Sequence, residues 1–109
     1  MQLTIRTEKQ HDALTLYCSG ALIAESAPLL KSHVKEMFPH EKHITLDLAG
    51  LSRMDSAGLG ALVSLYVSAH KAGVEIQFVN MSAPIRELLG LTHLLSVFES
   101  AGRNNTRLP

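Results

Sequence analysis

Asp55-Ser56-Ala57-Gly58-Leu59-Gly60 is the stretch of this chain best placed to do chemistry. It follows the strand-like run Ile44-Thr45-Leu46-Asp47-Leu48 by a short loop, and it opens an apolar-periodic segment from Leu59 to Ala72. That sets the Ser56 hydroxyl at the N-terminus of a helix, where backbone N–H groups lack partners and the dipole is positive. A phosphate is well tolerated at such a spot. The plainer use of the same residues is capping, since Asp and Ser are both favoured N-caps. Asp55 could cap the helix or orient the hydroxyl, and residue type does not separate the two.

The other chemistry-bearing patterns are weaker. Gly58-Leu59-Gly60 begins like a dinucleotide fingerprint, but the third glycine position is Val63 and no Walker lysine follows. Small residues there permit a tight loop or close backbone approach instead. His40-Glu41-Lys42-His43 has one residue between Glu and the second His, where a zincin helix needs two, and it follows Pro39, a helix stop. It reads as a polar surface turn. His70 shares a helical face with Leu59, Val63 and Tyr66 and is expected to be a partly buried packing residue. Asn104-Asn105-Thr106 is a glycosylation sequon in form only, since nothing suggests secretion. Gly-x-Ser-x-Gly is absent. No catalytic constellation, metal set or cofactor site is expected.

The helix opened by Ser56 has a second feature. At about 100° per residue, Leu65 lies about 120° from Leu59. Its neighbours on that outer side are Ala61, Ser64, Ser68 and Ala72, all small. The expectation is that Leu62 lies on the core stripe and Leu65 off it. Leu59, Ala61, Ser64, Leu65 and Ser68 would then form a face able to receive another protein closely.

The elements that hold this site follow from periodicity. Leu3 and Ile5 alternate with Thr4 and Arg6 in a first strand near 2–8, and Leu14, Leu16 and Cys18 alternate in a second. The tight connection at Gln10-His11-Asp12 predicts an antiparallel hairpin, with Gly20 at the exit of the second strand. Ala27, Leu30, Val34, Met37 and Phe38 have helical spacing, with Pro28 in the first turn. Ile44, Leu46 and Leu48 form a third strand, and Val74, Ile76 and Phe78 a fourth after Gly73. Ser82 is expected to cap a third helix that Gly90 ends. A helical turn at 91–95 and a last short strand at 96–98 follow. Each strand has a single apolar face, unlike the continuous runs of a doubly wound sheet. The fold class is therefore α/β: a mixed, mostly parallel sheet of four to five strands with helices packed on one face. Residues 1–99 form one domain, and 100–109 a flexible polar tail.

Composition bounds the partners. The chain has 109 residues, 46% of them apolar and 18% charged, which suits one folded core. Ten basic and ten acidic side chains cancel, which argues against nucleic acid as the main partner. No apolar run reaches the roughly 20 residues of a membrane span. Cys18 is the only cysteine, so no internal disulfide forms, and a reducing cytoplasm is the expected compartment.

The stretch from Leu46 to Glu99 resembles the STAS domain family (sulfate transporter and anti-sigma factor antagonist). The matching features are Asp55-Ser56-Ala57-Gly58-Leu59-Gly60, the strand ending Leu46-Asp47-Leu48, Gly73 before the next strand, and Arg86-Glu87-Leu88-Leu89 followed by Leu91. Within the family the chain is most similar to stand-alone bacterial anti-sigma factor antagonists. The resemblance implies the same fold, and phosphorylation of the serine directly after the Asp, here Ser56, with Asp55, Ala57, Gly58 and Gly60 around it. It implies a non-enzymatic protein that, unphosphorylated, binds an anti-sigma factor and so frees a sigma factor. That partner is a serine kinase of the histidine-kinase-like ATPase type, and a metal-dependent serine phosphatase reverses the mark. A weak dimer is left open. The alternative is a STAS subunit of a transporter or of a stress-sensing assembly.

Overall fold

Alternating apolar residues build the sheet as expected. In the computed structural model, which describes residues 2–83 and 85–87, β1 (Leu3–Gln10) and β2 (Ala13–Leu22) form an antiparallel hairpin. Its two-residue turn places His11 at φ 54°. Helix α1 (Ala27–Met37), strand β3 (His43–Met54), helix α2 (Ser56–Lys71) and strand β4 (Glu75–Val79) follow. The strand order is β1-β2-β3-β4, with β2, β3 and β4 mutually parallel. The sheet is thus mixed and mostly parallel. Residues 83 and 85–87 are helical, and the Arg86 N–H donates to the Ser82 carbonyl at 2.9 Å. Ser82 thus stands at the N-cap position expected of it, and its hydroxyl donates to the Leu51 carbonyl at 3.1 Å. Gly90, the turn at 91–95, the strand at 96–98 and the tail lie outside the described residues.

One face of the sheet is core. Leu14, Leu16, Cys18, Ile44, Leu46, Leu48, Ile76 and Phe78 are buried together with Leu30 and Val34 of α1 and Leu62 and Leu65 of α2. The alternate residues Thr15, Tyr17, Thr45, Asp47, Gln77 and Val79 are half-buried on the opposite face. Burying a Leu or Phe side chain contributes about 1.5–3 kcal/mol, so these alternating positions decide which face each strand presents. Desolvation pushes the Cys18 thiol up to about 12, with the Asp47 charge adding to it.

Two strands run longer than the alternation shows. Gly20 is not the exit of β2 but a residue within it, at φ 97° beside a register shift. A Cβ at Gly20 would sit 1.8 Å from the Gln2 carbonyl oxygen, so only glycine fits. Strand β3 passes Leu48 and continues to Met54 through an irregularity at Ala49-Gly50. There Asp47 Oδ1 accepts from the Ala49 N–H at 3.0 Å. The extra residues shift the apolar phase, so Leu51 is buried although the alternation through Leu48 would expose it.

Candidate functional site

The extended ends of β2 and β3 bring the site together. Asp55 leaves β3 in extended conformation and is the N-cap of α2. Its Oδ1 accepts from the Gly58 N–H at 2.9 Å, and its Oδ2 from the Ala24 N–H at 3.1 Å. The Asp55 N–H reaches the Leu22 carbonyl at 3.4 Å, and the Asp55 carbonyl accepts from Leu59 N–H at 3.0 Å. One carboxylate therefore closes the helix and pins the β2–α1 loop against it. The Gly58 amide, foremost among several backbone donors, holds the Asp55 carboxyl below the usual carboxylate range against the opposing effect of desolvation. Of the two roles open to Asp55, the structure shows capping.

This changes the local electrostatics expected for Ser56. The first-turn amide of Gly58 is not free for a phosphate, because the Asp55 carboxylate already occupies it. Ser56 itself is exposed at the first position of α2, next to exposed Ala57. Among the described residues its hydroxyl takes no hydrogen bond, which leaves it accessible to a reagent or an enzyme.

The two glycines differ. Gly58 is buried, and a Cβ there would lie 2.1 Å from the Leu22 carbonyl oxygen and 2.8 Å from Met54 Cγ. Its missing side chain lets α2 lie against the end of β2. Gly60 is exposed, and a Cβ there would meet nothing within 4 Å. The surrounding loops are stitched by hydroxyls. Ser26 Oγ donates to the Ala21 carbonyl at 2.8 Å and accepts from the Ile23 N–H at 3.0 Å. Ser52 Oγ donates to the Gly20 carbonyl at 3.1 Å.

The docking face expected on α2 needs correction. Leu65 is fully buried and Ala61 is 2% exposed, so neither can contact a partner on a free surface. The buried stripe is Gly58, Ala61, Leu62, Leu65 and Ala69, a regular i, i+3, i+4 pattern. Leu59, Ser64 and Ser68 are half-buried on its two flanks. His70, expected in a packing role, is exposed. The outward sector runs from Ser56 through Gly60 and half-buried Val63 to Val67, which is 46% exposed. Periodicity missed this because α2 is apolar nearly all round, so two stripes compete. Only the close approach at Gly58 selects between them.

In the His40–His43 turn, Glu41 and His43 are engaged in pairs with other strands. Glu41 accepts from Lys9 Nζ at 2.8 and 3.0 Å, and His43 Nδ1 pairs with Glu75 Oε1 at 2.8 Å. Among the described residues no three His, Cys, Asp or Glu converge as metal ligands, and no helix is long and apolar enough to cross a membrane.

Comparison with known proteins places these features. The STAS domain family matches residues 4–107. The anti-sigma F factor antagonist of Paenibacillus polymyxa is 27% identical over 99 residues, covering 89% of this chain and 85% of that protein. The anti-sigma-B factor antagonist of Bacillus subtilis is 21% identical over 104 residues and covers 95% of each. Among solved structures, an anti-sigma factor antagonist from Mycobacterium paratuberculosis superposes with a TM-score of 0.78 at 21% identity, over 89% of this chain and 83% of that one. The unphosphorylated anti-sigma factor antagonist SpoIIAA gives 0.72 at 16% identity, over 85% and 84%.

Proposed function

The chain belongs to the STAS domain family, and from that premise we propose that it is an anti-sigma factor antagonist switched by phosphorylation of Ser56. The observation that carries this is geometric. Ser56 is exposed at the first position of α2, fixed by the Asp55 cap, at the head of an outward helix sector with exposed Val67. Relatives named as anti-sigma factor antagonists span most of this chain.

In this reading the unphosphorylated protein binds, through the outer face of α2, an anti-sigma factor that is also a serine kinase of the histidine-kinase-like ATPase type. Binding frees the sigma factor. The kinase then transfers a phosphoryl group: Ser56 Oγ forms a bond to the γ-phosphorus of ATP, the bond to the bridging oxygen breaks, and ADP leaves. The hydroxyl proton goes to a base on the kinase or to solvent. This chain supplies the acceptor and its placement, and acts as substrate and ligand.

The phosphate adds about −1.5 to −2 charges. It arrives beside a carboxylate that already occupies a first-turn amide, so the new charge points outward into the docking surface. The helix dipole still favours it, so the fold persists. A dianion without a counter-charge under a docked partner costs several kcal/mol, and the complex separates. A metal-dependent serine phosphatase would restore the binding form. The setting is the cytoplasm, where sigma factors work.

The test is peptide mass spectrometry after incubation with the cognate kinase and ATP. One phosphate on Ser56 supports the reading. A phosphate on Ser52 or Ser64 overturns the assignment.

A further inference from the structure

Strand β1 is the outer strand of the sheet among the described residues, with β2 as its neighbour. Thr4 and residues 6–10 are exposed along it. The hairpin determines which of its backbone groups are free. It closes on the Gln10–Ala13 pair around a two-residue turn, and such a closing pair is hydrogen-bonded. Bonded and non-bonded pairs alternate from there. Gln10, Glu8, Arg6 and Thr4 therefore spend their N–H and C=O groups on β2. Lys9, Thr7, Ile5 and Leu3 turn theirs outward.

We infer that β1 is the surface by which two copies of this chain pair, antiparallel and in the register centred on Thr7. Two-fold pairing must set outward-bonding residues opposite each other, which permits centres at Ile5, Arg6, Thr7 or Glu8. Centring on Arg6 opposes two arginines, and centring on Glu8 opposes two glutamates; both are repulsive. Centring on Ile5 pairs only residues 3–7. Centring on Thr7 pairs residues 4–10 and sets Arg6 against Glu8 of the second copy, twice by symmetry. Arg6 already lies over the Tyr17 ring, 4.2 Å from its centroid, and is ion-paired with Glu8 of its own strand. Both side chains thus lie on the open sheet face, and in the pair each would exchange its own-strand partner for that of the second copy. Charges on an edge strand ordinarily guard it against pairing. Here the same charges exclude every full-length register but one.

The contact is small, so the dimer is weak and concentration-dependent. Helix α2 packs on α1, β3 and β4 and meets the end of β2 at Gly58, with β2 between it and the free edge of β1, so pairing leaves both Ser56 sites free.

Sedimentation velocity of the full chain from about 10 µM to about 1 mM tests this. The wild type should shift from monomer to dimer. Thr7→Pro removes an outward N–H and none given to β2, so it should stay folded and monomeric. Arg6→Glu should weaken dimerisation at least about tenfold, and Arg6→Glu/Glu8→Arg should restore it. Thr7→Cys should cross-link on mild oxidation, because bonded antiparallel pairs sit about 5.5 Å apart at Cα. Cys18 is buried and does not compete. A protein monomeric throughout the range overturns the inference. So does a dimer indifferent to Thr7→Pro, or a double variant no stronger than Arg6→Glu alone.

Discussion

Gly58→Ala and Gly60→Ala make the same chemical change two residues apart on one helix, and the structure predicts opposite signs. Alanine in place of glycine inside a helix stabilises by about 0.5–1 kcal/mol, because the unfolded chain loses freedom. At Gly60 nothing lies within 4 Å of the added Cβ, so that gain should appear undiminished. At Gly58 the methyl would stand 2.1 Å from the Leu22 carbonyl oxygen and 2.8 Å from Met54 Cγ. The Met54 side chain can swing aside. The Leu22 carbonyl cannot, since it is backbone at the end of a central strand and accepts the Asp55 N–H. The helix must move outward by about an ångström, disturbing the Gly58–Asp55 cap, and such overpacking costs about 1–3 kcal/mol. The gain is common to both variants and cancels between them, so they should differ by the overpacking cost of about 1–3 kcal/mol. Urea unfolding followed by circular dichroism reads this as a lower midpoint for Gly58→Ala and a higher one for Gly60→Ala, at similar slopes. If Gly58→Ala proves as stable as Gly60→Ala, the close approach of α2 to β2 is wrong, and with it the helical phase on which the docking face rests.

That phase has its own test. Leu65→Ala should destabilise the fold by about 2–5 kcal/mol, whereas Val67→Glu should change stability by less than about 1 kcal/mol while weakening partner binding; urea unfolding and calorimetric titration separate the two effects. For Asp55, the depressed folded value means that its contribution is present above the unfolded value near 3.8 and is lost as pH falls through the lower folded value. The stability gap between wild type and Asp55→Asn should therefore be full at neutral pH and close below pH 3.8, as measured by urea midpoints at descending pH. Protein phosphorylated on Ser56 should melt within a few degrees of the unmodified form by calorimetry, because the exposed hydroxyl takes the charge outward; a fall above about 10 °C would mean a switch by local unfolding.

Much of this architecture is legible in the residues, and the exceptions have physical causes. The alternation at Leu14-Leu16-Cys18 and Ile44-Leu46-Leu48 reports a one-sided sheet directly, because each strand has a single buried face. The Asp55-Ser56 junction is legible for the same kind of reason: a cap residue after a strand marks where a helix must begin. The continuation of β3 to Met54 is hidden because the irregularity at Ala49-Gly50 breaks the period by which strands are recognised. Gly20 reads as an exit because glycine usually ends a strand, while here it permits the Gln2 carbonyl to approach. On α2 the apolar residues encircle the helix, so Leu65 and Val67 are equally eligible for the core by type. Backbone contact at Gly58, invisible to any count of hydrophobic residues, decides between them. The bridge from Asp55 to the Ala24 amide is equally hidden, since it joins segments 31 residues apart through a main-chain donor.

In the proposed switch, a single phosphate on Ser56 converts a binding protein into a non-binding one. The deciding measurement is the affinity of this protein for its cognate anti-sigma factor, by calorimetry with and without phosphate on Ser56, alongside Ser56→Ala in the presence of ATP. The unmodified protein should bind, the phosphorylated form should bind at least about a hundredfold more weakly, which is about 2.7 kcal/mol, and Ser56→Ala should remain bound when ATP is added. Equal affinity of the two forms, or release of Ser56→Ala by ATP, would rule out the phosphate switch.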